Sequence, residues 1–197
     1  MSLLTNANAV LTLTFTESGG NVSLIAAGTL DTTGIFTFGN TVLVDGYTEG
    51  TAGGQVDFFT GDGSMSSQLN IPFTPPASSL FHDNSVAVPR VNSIAGVAAV
   101  GIIVNDPGMF LFLPESYVPN APIFGSALYP GVDFNDLRLI PGNYTLVTLG
   151  TGDRIDVDVV APVAAVPEPA VIVASIGMIG LLGLVIRRRF HAKKVIC

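Results

Sequence analysis

Residues 10–16 read V-L-T-L-T-F-T, and this alternation decides the fold class. Successive side chains of a strand point to opposite faces, so Leu11, Leu13 and Phe15 share one face while three threonines share the other. An apolar face opposite a polar face is typical of a half-buried antiparallel strand. The sequence therefore predicts a strand that covers a hydrophobic core with one side and meets solvent with the other.

Nine further segments have the composition of short strands, and clusters of Gly, Pro, Asn, Asp and Ser separate them. The clearest pair is a hairpin in which residues 144–149 and 154–160 flank the turn G-T-G-D at 150–153. The other predicted strands are 22–27, 34–38, 41–44, 56–60, 68–73, 97–104 and 109–113. We therefore expect an all-β body, a single β-sandwich of Greek-key or jelly-roll type at residues 10–160.

The C-terminal residues differ in composition from this body. Val166-Pro167-Glu168-Pro169 is followed by an uncharged apolar run at 170–186 and by a basic tail at 187–197. The basic residues of the tail are Arg187, Arg188, Arg189, Lys193 and Lys194. As a helix, the apolar run would be about 25 Å long, close to the hydrocarbon thickness of a membrane, about 30 Å. The pattern predicts one transmembrane helix at residues 170–186.

A Pro-Glu-Pro tripeptide, a hydrophobic helix and an arginine cluster, in this order, resemble the PEP-CTERM sorting signal. In that family the signal marks an exported bacterial protein for an exosortase, a membrane-embedded processing enzyme. The resemblance implies that residues 167–197 are a sorting signal and that Val166, Pro167, Glu168 and Pro169 form its motif. It also implies an exosortase-type enzyme as a partner. A plain single-pass membrane anchor is the alternative interpretation.

Three stretches of the body resemble a common, uncharacterised subset of ectodomains in the same family. They are F-T-E-S-G-G-N-V at residues 15–22, L-P-E-S-Y-V at 113–118 and L-I-P-G-N-Y at 139–144. The resemblance extends the relationship to the whole chain, and it implies no biochemical activity.

The charge distribution predicts how the chain lies across a membrane. Residues 1–169 hold three arginines and all 15 acids, a net charge of −12, whereas the tail after Ile186 carries +5. The positive-inside rule places the tail in the cytoplasm and the body outside. We expect a precursor in the inner membrane and a mature protein at the cell surface or outside the cell. The acidic body also excludes nucleic acid as a partner.

Ala7-Asn8-Ala9 has the small residues that signal peptidase requires, so we interpret residues 1–9 as the remnant of a signal peptide. Residues 161–166 read A-P-V-A-A-V and form a linker between the body and the sorting signal. The only cysteine is Cys197, so the body has no disulfide.

Little in the body predicts catalysis. His82 is its only histidine, it is followed directly by Asp83, and no nucleophile motif accompanies it. We expect His82 to be a surface loop residue and do not expect the protein to be an enzyme. We also expect no cofactor and no zinc site. Candidate calcium ligands are Asp133, Asn135 and Asp136; Asp57 with Asp62; and Asp156 with Asp158. The favoured interpretation is that they are turn formers and a solvated strand face.

The sequence thus predicts an exported protein of structural or interaction type, with a glycan-binding module as the alternative. Glycan sites usually use exposed aromatic rings, and the chain has no Trp, only Tyr47, Tyr117, Tyr129 and Tyr144 as tyrosines. An anionic exopolysaccharide bridged by calcium is a further candidate partner.

Overall fold

The computed structural model describes residues 8–34, 38–44, 46–50, 55–61, 66–73, 81–83, 85–104, 108–148 and 152–162. The chain divides into two compact units, Met1–Pro162 and Val163–Cys197, and all described residues belong to the first. Within these residues no helix has the length and hydrophobicity to cross a membrane. The transmembrane helix predicted at 170–186 lies outside them and stays a prediction.

The described residues form thirteen strands in two sheets and no helix, which confirms the predicted all-β class. The strands are β1 Val10–Ser18, β2 Asn21–Gly28, β3 Phe38–Val44, β4 Tyr47–Gly50, β5 Val56–Phe59, β6 Ser66–Phe73, β7 Val91–Asn92, β8 Gly96–Val97, β9 Gly101–Val104, β10 Met109–Pro114, β11 Ile123–Pro130, β12 Gly142–Thr148 and β13 Arg154–Val160.

The first sheet has the order β12-β13-β1-β2-β11-β8, and the second has the order β3-β6-β10-β9-β5-β4-β7. In the first sheet β1 lies between β2, to which it is antiparallel, and β13, to which it is parallel. The two strands at opposite ends of the body therefore lie side by side, with Leu11 opposite Ile155.

One hydrophobic core joins the two sheets. Leu11, Leu13 and Phe15 of β1 are fully buried, as the alternation predicted. The ring of Phe15 meets that of Phe58 in the second sheet edge to face, with the ring centroids 5.1 Å apart, and stacks on Phe81 at 5.7 Å. Two sheets that bury their facing side chains in a shared core are consistent with the predicted β-sandwich.

The prediction of one strand at residues 97–104 was wrong. The chain forms β8 in the first sheet, leaves it at Ala98 and enters the second sheet as β9. The buried hydroxyl of Thr60 holds the crossing: it accepts the amide protons of Ala99 and Val100, at 3.0 and 2.9 Å, and donates to the carbonyl of Val100. The apolar run V-A-A-V-G-I-I-V resembles one buried strand, but Val97 of β8 is exposed, and the buried residues Ala99, Val100, Ile102 and Val104 follow the crossing or belong to it.

Three strands were not predicted: β4, β7 and β11. β11 is an interior strand, since it pairs with both β2 and β8. Its sequence I-F-G-S-A-L-Y-P hides the alternation, because the large Phe124 is exposed while the small residues Gly125 and Ala127 lie on the buried face. The predicted strand at 34–38 was wrong at Gly34, which lies in a turn; residues 35–37 lie outside the described residues, and β3 begins at Phe38.

Ala9 is hydrogen-bonded to the body. Its amide donates to Asp153 Oδ1 at 2.9 Å, and its carbonyl accepts the amide proton of Arg154 at 2.9 Å. Asp153 also accepts the amide proton of Asp31 through its other carboxylate oxygen. One buried carboxylate thus ties together the segment before β1, the loop after β2 and the start of β13.

Candidate functional site

The residues predicted for sorting lie outside the described part of the chain. These are Val166, Pro167, Glu168, Pro169, Arg187, Arg188, Arg189, Lys193 and Lys194. Their role therefore stays a prediction from the sequence.

His82 is buried, with only 2% of its surface exposed, so the prediction of a surface loop histidine was wrong. Its backbone forms a β-bridge with Leu139, and its ring lies against Phe58 and Phe81. Burial lowers the pKa of His82 to about 4, and neither ring nitrogen has a hydrogen-bond partner among the described residues. The ring is therefore neutral at pH 7 and is held by aromatic packing.

Asp83 does not orient the imidazole of His82. Its exposed carboxylate accepts the amide proton of Ser85 at 2.8 Å, which lowers the pKa of Asp83. The His82 side chain thus lies in apolar surroundings, whereas the side chain of the neighbouring Asp83 is exposed to water.

The candidate calcium ligands are engaged in local hydrogen bonds. Asp136 donates its amide proton to Asp133 Oδ1 at 2.8 Å, and Asp133 donates its own to Asp136 Oδ2 at 3.1 Å. In the described residues no three acidic, histidine or cysteine side chains come close enough to share a metal ion. Asp62 lies outside those residues.

The other acidic pair lies on the polar face of β13. Asp156 accepts from Thr145 Oγ1 at 2.8 Å and from Arg154 Nε at 2.9 Å. Asp158 accepts from Asn143 Nδ2 at 2.8 Å. Both carboxylates therefore bind neighbours within their own sheet.

Tyr117 and Tyr144, from the stretches at 113–118 and 139–144, have structural roles. The Tyr117 hydroxyl donates to the carbonyl of Leu30 at 2.7 Å and accepts the amide proton of Leu30 at 3.1 Å, which holds the loop after β2. The Tyr144 hydroxyl donates to the carbonyl of Ile140 at 2.9 Å. Its ring lies over Gly142, where a β-carbon would come within 2.9 Å of the hydroxyl. The stretches at 113–118 and 139–144 therefore contribute to the fold.

A polar cleft of about 480 Å³ lies where β4, β5 and the segment before β7 meet. β5 buries side chains on both faces: Val56 and Phe58 join the main core, while Asp57 and Phe59 point to the opposite, outer face. Asp57 lies directly across from Glu49 of β4. The cleft is lined by Glu49, Gly50, Gln55, Asp57, Val88 and Arg90.

Asp57 forms the floor of the cleft and is only 4% exposed. Its Oδ2 accepts from the Tyr47 hydroxyl at 3.1 Å and its Oδ1 from Gln55 Nε2 at 2.6 Å. Burial raises the pKa of Asp57, and these two hydrogen bonds oppose that shift. Each oxygen accepts one hydrogen bond from the described residues, and a carboxylate oxygen can accept two.

Arg90 forms one wall of the cleft. Its guanidinium carbon lies 4.1 Å from the centroid of the Tyr47 ring, and its Nη1 is 3.3 Å from Glu49 Oε2. Its Nε donates to Asn92 Oδ1 at 3.2 Å. A ring contact, an ion pair and a hydrogen bond thus fix the direction of a half-exposed side chain.

The Tyr47 ring lies between Arg90 and Phe59, whose centroid is 5.1 Å away. Phe59 and Phe112 form a small buried cluster on the outer face of the second sheet. Gly101 lies beneath Phe59, where a β-carbon would come within 2.1 Å of the ring. Burial, together with the charge of Asp57, raises the pKa of Tyr47, so its hydroxyl stays a proton donor.

Sequence reasoning missed this cleft because its residues form no motif. Glu49 and Asp57 are eight positions apart on strands whose pairing was not predicted, and Arg90 lies more than thirty residues further along the chain. The sequence pattern indicates Asp57 only as a possible calcium ligand with Asp62. The available signal was an acid within the otherwise apolar strand V-D-F-F, since an acid there needs a polar partner.

Comparison of the chain with family models, curated proteins and solved structures gives no match. Its function therefore has to be inferred from the C-terminal pattern and from the geometry of the body.

Proposed function

We propose that this chain is an exported bacterial surface or extracellular-matrix protein of structural or interaction type, sorted and processed by an exosortase. The observation that carries the proposal is the order of Val166-Pro167-Glu168-Pro169, the apolar run at 170–186 and the arginine cluster that follows it. In this proposal residues 170–186 form a transmembrane helix, and the body is a Greek-key or jelly-roll-like sandwich outside the cell.

The charge distribution supports the orientation. Five cations directly after an apolar run favour a cytoplasmic C-terminus, and a body with 14 acids and three arginines favours the other side of the membrane. The precursor is accordingly an inner-membrane protein, and the processed body belongs to the cell surface or the medium.

Two observations on the body support an interaction role over catalysis. Its only histidine has a pKa of about 4 and a ring enclosed by phenylalanines, so it is poorly placed to exchange protons with a substrate. The polar cleft on the second sheet, by contrast, is open and lined with hydrogen-bonding groups. A glycan-binding role for the same exported body is the second candidate, and this cleft favours it.

The processing can be tested by mass spectrometry of the mature C-terminus. The full-length chain is produced in a host that encodes an exosortase and in the same host with that gene deleted. We expect the enzyme-containing host to yield protein that ends near Pro167–Pro169, and the deletion host to yield chains that still end at Cys197. Chains that keep Cys197 in both hosts would contradict exosortase processing and favour a plain membrane anchor.

A matched variant makes the result specific for the motif. Replacing Pro167, Glu168 and Pro169 by alanine removes the tripeptide and keeps the apolar run and the basic tail. This variant should insert in the membrane and stay uncut. Unchanged cleavage of the variant would contradict a role for the tripeptide.

A further inference from the structure

The cleft formed by Glu49, Gln55, Asp57 and Arg90 has the chemistry of a site for a small hydroxylated ligand. Two carboxylates supply acceptors, while a guanidinium and a carboxamide supply donors. Its volume of about 480 Å³ is in the range of small-molecule sites, about 300–1,000 Å³. We propose that this cleft binds a neutral saccharide through hydrogen bonds to its hydroxyl groups.

The polar groups match what sugar hydroxyls require. Each hydroxyl group both donates and accepts hydrogen bonds, so a site with only acceptors or only donors satisfies only one of these two functions. In the cleft Glu49 and Asp57 face each other across β4 and β5, and Arg90 is 3.3 Å from Glu49. A pair of neighbouring hydroxyls can therefore donate to a carboxylate and accept from the guanidinium at the same time. Such charge-assisted hydrogen bonds are among the stronger ones in proteins.

The binding groups are held in place before a ligand arrives. Tyr47 and Gln55 orient the carboxylate of Asp57, and Tyr47, Glu49 and Asn92 together hold Arg90. Side chains that are already ordered lose less conformational entropy on binding. Gln55 is exposed, and its hydrogen bond to Asp57 at 2.6 Å orders its side chain as well.

Other ligand classes fit the cleft less well. A divalent cation would have two carboxylates but would also meet the positive charge of Arg90. An anion would meet those two carboxylates, and Arg90 is the only cation among the described residues that line the cleft. An apolar ligand would leave the buried carboxylate of Asp57 without water and without a new partner.

The saccharide is recognised by its hydroxyl edge. The Tyr47 ring is covered by Arg90 on one side and packs against Phe59, so it offers no open face on which a sugar ring could stack. A site without a stacking platform binds a single sugar weakly, and binding along a polymer would then depend on many copies of the site.

The proposal rests on the proposed function in one respect only, the placement of the body outside the cell, where polysaccharides occur.

The test is an NMR titration of the full-length, ¹⁵N-labelled protein in a detergent without sugar groups. It follows the amide signals of β4, β5 and the Gln55 side chain. The probes are soluble neutral oligosaccharides of glucose, galactose and mannose, added in the presence of a calcium chelator. We expect at least one of them to shift these signals in a saturable manner.

The variants Arg90→Ala and Glu49→Gln should weaken this binding about tenfold or more, since each removes a charged hydrogen-bonding partner. The matched controls are Arg154→Ala and Asp156→Asn, from an ion pair on the first sheet in which Arg154 is 50% exposed, compared with 48% for Arg90. These controls should bind like the wild type. Gln55→Ala, at an exposed position, should also weaken binding. It replaces Arg90→Ala as the test variant if Arg90→Ala impairs folding.

No shift with any neutral oligosaccharide at millimolar concentration would overturn the proposal, as would equal weakening in the control variants. Shifts that appear only with uronic acid oligosaccharides, or only with calcium, would overturn it in favour of an anionic or a calcium-bridged ligand. None of these outcomes bears on C-terminal processing, which is measured in cells by the mass of the mature chain.

Discussion

At the scale of single residues, His82 makes the stability of the body sensitive to acid. Its pKa is about 4 in the folded body and about 6.5 in an unfolded chain. Between these values the unfolded chain binds more protons, so the free energy of unfolding falls as the pH falls from about 6.5 to about 4. We expect the histidine to account for about 2 kcal/mol of stability lost between pH 7 and pH 5.

The measurement is urea unfolding of the full-length wild type and of His82→Gln at both pH values. Carboxylates also titrate in this range, so the informative quantity is the difference between the two proteins. The variant should lose about 2 kcal/mol less than the wild type on acidification. An equal loss in both proteins would contradict a neutral buried imidazole.

A second prediction at this scale concerns the fully buried Tyr129, whose hydroxyl donates to the carbonyl of Phe59 at 2.8 Å and joins β11 to β5. Tyr129→Phe should lower the free energy of unfolding by about 1–2 kcal/mol, because a buried carbonyl loses its partner. Tyr144→Phe is the matched control, since its hydrogen bond to Ile140 is exposed to water. Tyr144→Phe should lower the free energy of unfolding clearly less than Tyr129→Phe. Urea unfolding of both variants measures the two values.

At the scale of elements, the crossing from β8 to β9 depends on one hydroxyl group. Thr60→Val keeps the shape of the side chain and removes the acceptor for Ala99 and Val100 in a buried position. We expect the free energy of unfolding to fall by about 3 kcal/mol, since two buried amides lose their partner. Thr16→Val, at an exposed position of β1, should change it by less than about 0.5 kcal/mol. Similar losses in the two variants would show that the crossing does not depend on this hydroxyl.

Some of these elements could be predicted from the sequence, and others could not, for physical reasons. β1, β2 and β13 alternate cleanly, because one side of each faces the core and the other faces water. β7 and β8 are two residues long, too short for any periodicity. The break at residues 98–100 depends on Thr60, about forty positions away, so no local pattern indicates it.

The candidate site shows the same limit. Glu49, Asp57 and Arg90 meet only because β5 pairs with β4 and β4 pairs with β7. The sequence indicates each charge separately, but it does not indicate the register that brings them together. The C-terminal pattern is different, because its parts are contiguous and need no tertiary structure to be recognised.

At the scale of the whole molecule, the charge of the body predicts how it attaches to an acidic matrix. With 14 acids and three arginines before Pro167, the body should be repelled by an anionic exopolysaccharide. We expect calcium to reverse this, because carboxylates on the protein and on the polymer can share the ion and many weak links act together.

The measurement is retention of the protein on isolated anionic exopolysaccharide with calcium and with a chelator, at constant ionic strength. A neutral polysaccharide of similar size is the control, and calcium should not increase retention on it. If retention on the anionic polymer is the same in both conditions, calcium bridging is wrong. If the polymer retains no protein in either condition, attachment to an anionic matrix is also wrong.

The parallel pairing of β1 with β13 has a consequence for the order of events during synthesis. β1 is made first among the thirteen strands and β13 last, yet they are neighbours in the interior of one sheet. Until residues 154–160 have emerged, β1 has an open edge on one side, and β12 has no strand to pair with. Contacts between such distant segments form slowly, because a long loop must close first. A chain that is translocated from its N-terminus would therefore complete its first sheet only after residues 154–160 have crossed.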